Sequence, residues 1–247
     1  MNKTKELAVG RFTAENLNIS VSDSTRKINL EVEDQVDAIW EEKKKKAELE
    51  GRVCFNGISY RLNSLKEQDQ KIVINFGLLE YKVRHVLSSI PGYLELLDEY
   101  YHKGCYTAAT IKTKDNKFLI VELSGKSMNT FVIDMLGGIM EKPSEIATGE
   151  DVFNCIYGEL KEEACIGKSD IEECYLRSVF LTPNTHVCFY FEAILYVSSG
   201  TLLDRFSNEN QDQDIKSLKV LSREEYVSFL KSHSSLTKQY ISQIINL

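Results

Sequence analysis

The sequence lacks any run approaching the roughly 18 apolar residues that a membrane span needs, and its first residues, MNKTKELAVGRF, lack the apolar core of a signal peptide. Both absences predict a soluble, intracellular protein, placed in the cytoplasm. It lacks a basic excess too: 30 Lys and Arg stand against 37 Asp and Glu, a formal charge of −7 with pI near 5.3. Such a chain has no overall field to draw nucleic acid or an anionic membrane, so neither is an expected partner. An anionic small molecule would need a local positive device, such as a metal ion. The six cysteines, Cys54, Cys105, Cys155, Cys165, Cys174 and Cys188, contain no CxxC pair. They read as reduced thiols packed like small hydrophobes. Proline and glycine clusters are few, and there is no repeat or low-complexity segment.

What is present is enough apolar residue, 43% of 247, to bury a substantial core in one large domain or two small ones. Residues 1–103 read as a small α+β domain. DQVDAIWEEKKKKAELEG spaces Val36, Ile39, Trp40 and Ala47 helically and stops at Gly51. Its Lys43–Lys46 tract is a solvated face, since Glu41, Glu42 and Glu48 flank it. Asn56-Gly57 between apolar runs predicts a hairpin turn, KIVINFGLLEYK a strand, and PGYLELLDEYY a helix opening near Pro91. Residues 104–247 read as the second domain. CYTAATIKTKDNKFLIVEL predicts two strands around Asp115-Asn116, TFVIDML leads into Gly137-Gly138, and CYLRSVFLTP and HVCFYFEAILYV are further strands. The last of these is apolar enough to be central and covered on both faces. SSGTLLDRFSNENQDQD reads as a surface loop and IKSLKVLS as a strand. Ser222 and Glu225 form a capping box, and LTKQYISQIINL is a closing amphipathic helix.

The chemistry concentrates in GEDVFNCIYGELKEEACI, Gly149–Ile166, after the glycine pair. At about 100° per helical residue, Glu159 and Glu163 stack on one face and Glu162 lies about 60° to the side. Phe153, Ile156, Leu160 and Ala164 form the adjacent apolar face. Three neighbouring carboxylates repel one another unless a cation lies between them, and Mg²⁺ is commonly held by one or two carboxylates plus substrate phosphates. Glutamates on a surface helix are ordinary by themselves; the glycine pair, where backbone can approach a ligand closely, changes their meaning.

These residues resemble the Nudix family, whose signature runs glycine, five residues, glutamate, seven residues, then Arg-Glu-apolar-any-Glu-Glu-any-Gly-apolar. Glu150 takes the place of the first glutamate, and Gly158, Glu159, Leu160, Glu162, Glu163, Cys165 and Ile166 supply the rest. PSEIAT is inserted after the glycine pair, Gly158 stands at the arginine and Cys165 at the last glycine. Ahead of it, AIWEEK, CFNGISYRL and FGLLEYK resemble the N-terminal domain of the family's UDP-glucose pyrophosphatase branch.

The resemblance implies an α/β/α sandwich around a mixed sheet, and hydrolysis of the diphosphate bond in a nucleotide-sugar, UDP-glucose above all. It implies that the Gly137 carbonyl and the carboxylates of Glu159, Glu162 and Glu163 bind Mg²⁺ or Mn²⁺, or that one of the three instead deprotonates the attacking water. Gly138, Lys126 and Arg177 are candidate substrate contacts, as is Lys142. Asp134, Glu192, Asp212 and Asp214 are candidate further acids, His186 a candidate substrate contact, and Tyr106, Phe131 and Tyr175 candidate contacts to the base. The alternatives are a binding module that has lost turnover, and a hydrolase of ADP-ribose or dinucleotides.

Overall fold

The computed structural model describes residues 4–23, 26–51, 54–124, 133–142, 145–209 and 214–232. Its first section runs β1 (Lys5–Phe12), β2 (Leu17–Val21), α1 (Leu30–Leu49), β3 (Ile58–Gln68), β4 (Lys71–Glu80) and α2 (Tyr81–Val86). Helix α1 starts because the Asn29 side chain accepts from the amides of Glu31 and Val32, and it ends two residues before Gly51, which turns the chain at φ +69°. Strands β2, β4 and β3 form a three-stranded sheet in that order, and Val36 and Trp40 of α1 pack with Val83 and Val86 of α2.

Two expectations fail here. Asn56-Gly57 is not a hairpin turn. The Asn56 side-chain oxygen Oδ1 accepts from the Lys82 backbone amide at 2.9 Å and its Nδ2 donates to the Glu80 carboxylate, which ties the approach to β3 onto the start of α2. The hairpin joins β3 to β4 at Asp69 and Gln70, both at positive φ, so two non-glycine residues occupy the left-handed region that tight two-residue turns demand. Nor does Pro91 open an α-helix. Gly92 turns the chain at φ +76°, and two single 3-10 turns, Tyr93–Glu95 and Asp98–Tyr100, are separated by extended backbone at Leu96 and Leu97.

The second section runs β5 (Cys105–Lys112), β6 (Phe118–Leu123), β7 (Ile133–Asp134), α3 (Gly149–Ala164), β8 (Ile171–Leu181), β9 (Val187–Leu195), α4 (Ser199–Glu209), β10 (Ile215–Leu221) and α5 (Arg223–Ser232). Among the described residues seven strands make one mixed sheet, ordered β1-β8-β9-β5-β6-β10 with β7 beside β6; β5 and β9 run parallel. As expected, β9 is central. Phe189 and Phe191 face α3, which buries Val152, Phe153, Ile156 and Leu160, whereas Cys188 and Tyr190 face Tyr226, Phe229 and Leu230 of α5. Helix, sheet and helix therefore form an α/β/α arrangement. The Ser222–Glu225 capping box forms, with the Ser222 amide donating to Glu225 at 2.6 Å.

The segment read as a surface loop is α4. Leu202 is buried and Phe206, four residues on, packs on the same core, while Asp115 accepts from the Ser199 amide and hydroxyl where the helix begins. Its polar composition hid that one apolar stripe. The expected closing helix lies outside the described residues, as do Asp212 and Phe131. No described helix is long and apolar enough to cross a membrane.

The expected division falls just before β5, yet the two sections share a core. β1 is hydrogen-bonded into the large sheet against β8, and Tyr60 and Phe76 belong to the same apolar cluster as Ile111, Ile156 and Phe189. β3 also reaches across. The Tyr60 amide donates to the Met140 carbonyl at 2.8 Å and the Lys142 amide to Ile58 at 3.0 Å. The stretch after the glycine pair is thus held between β3 and β5.

Candidate metal and diphosphate site

Helix α3 is fixed at both ends. Thr148 is its N-cap, its side chain accepting from the Asp151 amide while Asp151 accepts from the Ala147 and Thr148 amides at 3.1 and 2.8 Å. Gly149 is required by contact, because a Cβ there would lie 2.0 Å from the Ala14 carbonyl oxygen. At the other end Cys165 takes the left-handed conformation (φ 55°, ψ 33°), and the Cys165 and Ile166 amides donate to Lys161 and Leu160 at 3.1 and 3.0 Å. This is the αL cap that glycine usually supplies.

The glycine pair lies along the first half of β5. Ala109 donates to the Leu136 carbonyl at 2.9 Å and Thr107 to the Gly138 carbonyl at 2.8 Å, while the Gly137 amide points the other way. Gly137 has no room for a side chain, and one at Gly138 would have to displace a carboxylate. At Gly137 (φ +145°) a Cβ would meet the Thr107 carbonyl oxygen at 2.2 Å. At Gly138 it would meet a Glu159 carboxylate oxygen, also at 2.2 Å.

The two glutamates stacked on α3 therefore converge on this pair. Glu163 accepts from the Gly137 amide at 2.8 Å, and the Glu159 carboxylate lies directly against Gly138. Both are half-buried, whereas Glu162 is exposed. Gly158 is half-buried with nothing within 4 Å of a Cβ, so no packing contact requires glycine there. Sequence reasoning passed over Thr107, whose amide and hydroxyl hold the Gly138 backbone from behind. Its signal was only a polar residue in an apolar strand.

Other candidates go elsewhere. Arg177 turns to Glu192, with Nε 3.5 Å from its carboxylate, and to the Gly10 carbonyl at 3.4 Å. Tyr175 also donates to Glu192, whose carboxyl is raised by burial, so this acid is held as a structural partner. Burial pushes the Asp134 carboxyl up to about 6, against the opposing Met135 amide. The Asp214 carbonyl accepts from Ser124. His186 packs edge-on to His102 at 4.4 Å, and Tyr106 lies 6.3 Å from it. Lys142 is exposed; Lys126 lies outside the described residues.

No family model and no curated protein matches the chain. Among solved structures it is similar to a NUDIX hydrolase from Nitrosomonas europaea, at 18% identity over 58% of this chain and 88% of that one, TM-score 0.37. It is similar also to the NUDIX domain of Shewanella oneidensis NrtR complexed with ADP ribose, at 14% over 62% and 95%, TM-score 0.41. A third is a NUDIX-family hydrolase from Clostridium perfringens, at 19% over 59% and 98%, TM-score 0.37. Likeness at this level leaves the function to be argued from the residues themselves.

Among the described residues no group of three His, Cys, Asp or Glu side chains gathers as a metal cage. The donor set present is two half-buried carboxylates beside a glycine backbone. That set suits Mg²⁺, which keeps several waters and takes one or two carboxylates together with substrate phosphates, better than a metal caged wholly by protein.

Proposed function

We propose that this chain is a metal-dependent diphosphatase of the Nudix type, acting on nucleoside diphosphate-linked substrates, with a UDP-sugar cleaved to UMP and sugar 1-phosphate as the leading case. The observation that carries the reading is the convergence of Glu159 and Glu163 on Gly137-Gly138. In this reading Glu159, Glu163 and the Gly137 carbonyl hold Mg²⁺ or Mn²⁺, with Glu162 on the open side toward substrate. The ion supplies polarisation of the diphosphate and a lowered pKa for the attacking water. Water oxygen bonds to phosphorus, the bridging P–O bond breaks toward the sugar phosphate, and one of the glutamates takes the water's proton. Thr107 keeps the glycine floor at fixed depth. The six free thiols suit a reducing, cytoplasmic setting.

The test is release of UMP from UDP-glucose by purified chain with Mg²⁺ or Mn²⁺, alongside ADP-ribose and dinucleotides. No turnover of any of them by folded protein would refute the reading. One observation favours a second reading, a nucleotide-sugar binding module without turnover. Gly158 leaves open the place where the Nudix signature has the arginine that orients the glutamates. Calorimetric binding without hydrolysis would select it.

A further inference from the structure

Helix α2 carries Arg84 inward, to 7% exposure. One Nη donates to the Cys105 carbonyl at 3.0 Å, and the guanidinium lies over the Tyr106 ring, 5.7 Å from its centre. Among the described residues its other N–H groups have no hydrogen-bond partner and it forms no ion pair. Its buried neighbours differ. Arg61 donates to the His102 and Tyr101 carbonyls and to Asn63, and Arg26 pairs with Glu33. The chain also makes room for Arg84, because a Cβ on Gly104 would lie 2.6 Å from its Nη1. Beside the same ring His186 has a buried Nδ1 with no partner. Glu141, half-buried, interacts with Arg84 without bridging it. A largely buried guanidinium that has no ion pair and keeps free donors at the solvent edge is poised to take up an anion.

The place of this cluster gives the anion an identity. The Cys105 carbonyl that receives Arg84 also receives the Met140 amide, and Thr107, two residues along β5, donates to Gly138. The extended stretch from Gly137 to Glu141 therefore leads from the carboxylate site to Arg84, a shift of about 7 Å along β5. A guanidinium fork matches a carboxylate or a phosphate with two parallel hydrogen bonds.

We propose that Arg84, backed by Tyr106 and His186, is a specificity subsite for a second anionic group, a carboxylate or phosphate, on the moiety attached to the diphosphate. The inference rests on the diphosphatase reading and narrows its substrate class to compounds carrying charge beyond the scissile bond.

The test is calorimetric binding to the whole chain without metal, using UDP-glucuronate against UDP-glucose and NADPH against NADH. The charged member of one pair binds about tenfold tighter, and which pair responds separates carboxylate from phosphate. Arg84→Gln brings that ratio to near one. Glu141→Gln, at a half-buried position, widens it by lifting the nearby negative charge, and leaves the neutral member's Kd unchanged. Equal Kd within both pairs, no binding of any of the four, or a ratio unmoved by Glu141→Gln overturns the subsite, even where Arg84→Gln does not fold. Hydrolysis of the same four with Mg²⁺ keeps the two readings apart: a preserved ratio without turnover refutes the diphosphatase alone, and turnover without a ratio refutes the subsite alone.

Discussion

The Gly137 amide donates to the Glu163 carboxylate at 2.8 Å, across 26 residues of sequence, so one backbone group sets the height of an acid on a different element. Glu163→Gln keeps an oxygen for that hydrogen bond but removes the charge that would hold a cation. Its kcat with Mg²⁺ is expected to fall by about 10² or more, with Glu159→Gln similar, while melting temperatures change little. Equal activity of either variant and the parent would remove these glutamates from the mechanism.

Gly138→Ala tests the floor itself. Its new Cβ would stand 2.2 Å from a Glu159 oxygen and push that carboxylate off its place. The Mg²⁺ concentration for half-maximal activity should rise about tenfold or more, as metal sites do when a ligand is misaligned. Gly158→Ala is the control on the same helix. With nothing within 4 Å, it should stabilise the fold by about 0.5–1 kcal/mol in urea unfolding.

Cys165→Gly should also stabilise. The cysteine sits at φ 55°, where a side chain meets the following carbonyl, and the cap's hydrogen bonds come from backbone amides that glycine retains. A gain of about 1 kcal/mol in chemical denaturation is expected, and a loss would mean that the thiol's own contacts outweigh the strain.

Acid should weaken the protein through its histidines. Burial holds His102 and His186 well below the usual imidazole range, and burial and then Lys43 lower His85 to about 4. Folding that keeps imidazoles neutral contributes stability that is complete above about pH 6.5 and lost as pH falls toward the folded values. Melting temperature should therefore drop between about pH 6.5 and 4, with a shallower slope in His186→Gln. A flat profile in the parent would show that these rings are not buried neutral.

The 104–247 fragment bears on how separate the two sections are. Without β1 it leaves β8 as an open edge, and without Tyr60 and Phe76 it uncovers the floor of the cluster around Phe189. We expect it to aggregate or bind a hydrophobic dye, and a cooperative, monomeric melt would establish it as an independent domain.

Much of the second section was legible because its periodicity is undiluted. β9 is apolar at every position but Glu192, and α3 carries its apolar stripe between a threonine cap and a terminal αL residue. What failed was read from composition or from neighbours in sequence. The β3–β4 turn uses Asp69 and Gln70 where glycine signals such turns, and α4 hides Leu202 and Phe206 among polar residues. Arg177 was a candidate by sequence proximity to the glutamates, but its β8 position gives it to Glu192. Arg84 carried no signal, since nothing in a single sequence marks a charge that will be buried.

The rung formed by Met140 and Lys142 has β3 on one side and β5 on the other. The floor of the carboxylate site is thus a shared beam, anchored partly in the three-stranded sheet and partly in the seven-stranded one. Local opening of the smaller sheet would slacken that beam while the larger sheet stayed folded, so the protein can fall silent before it unfolds.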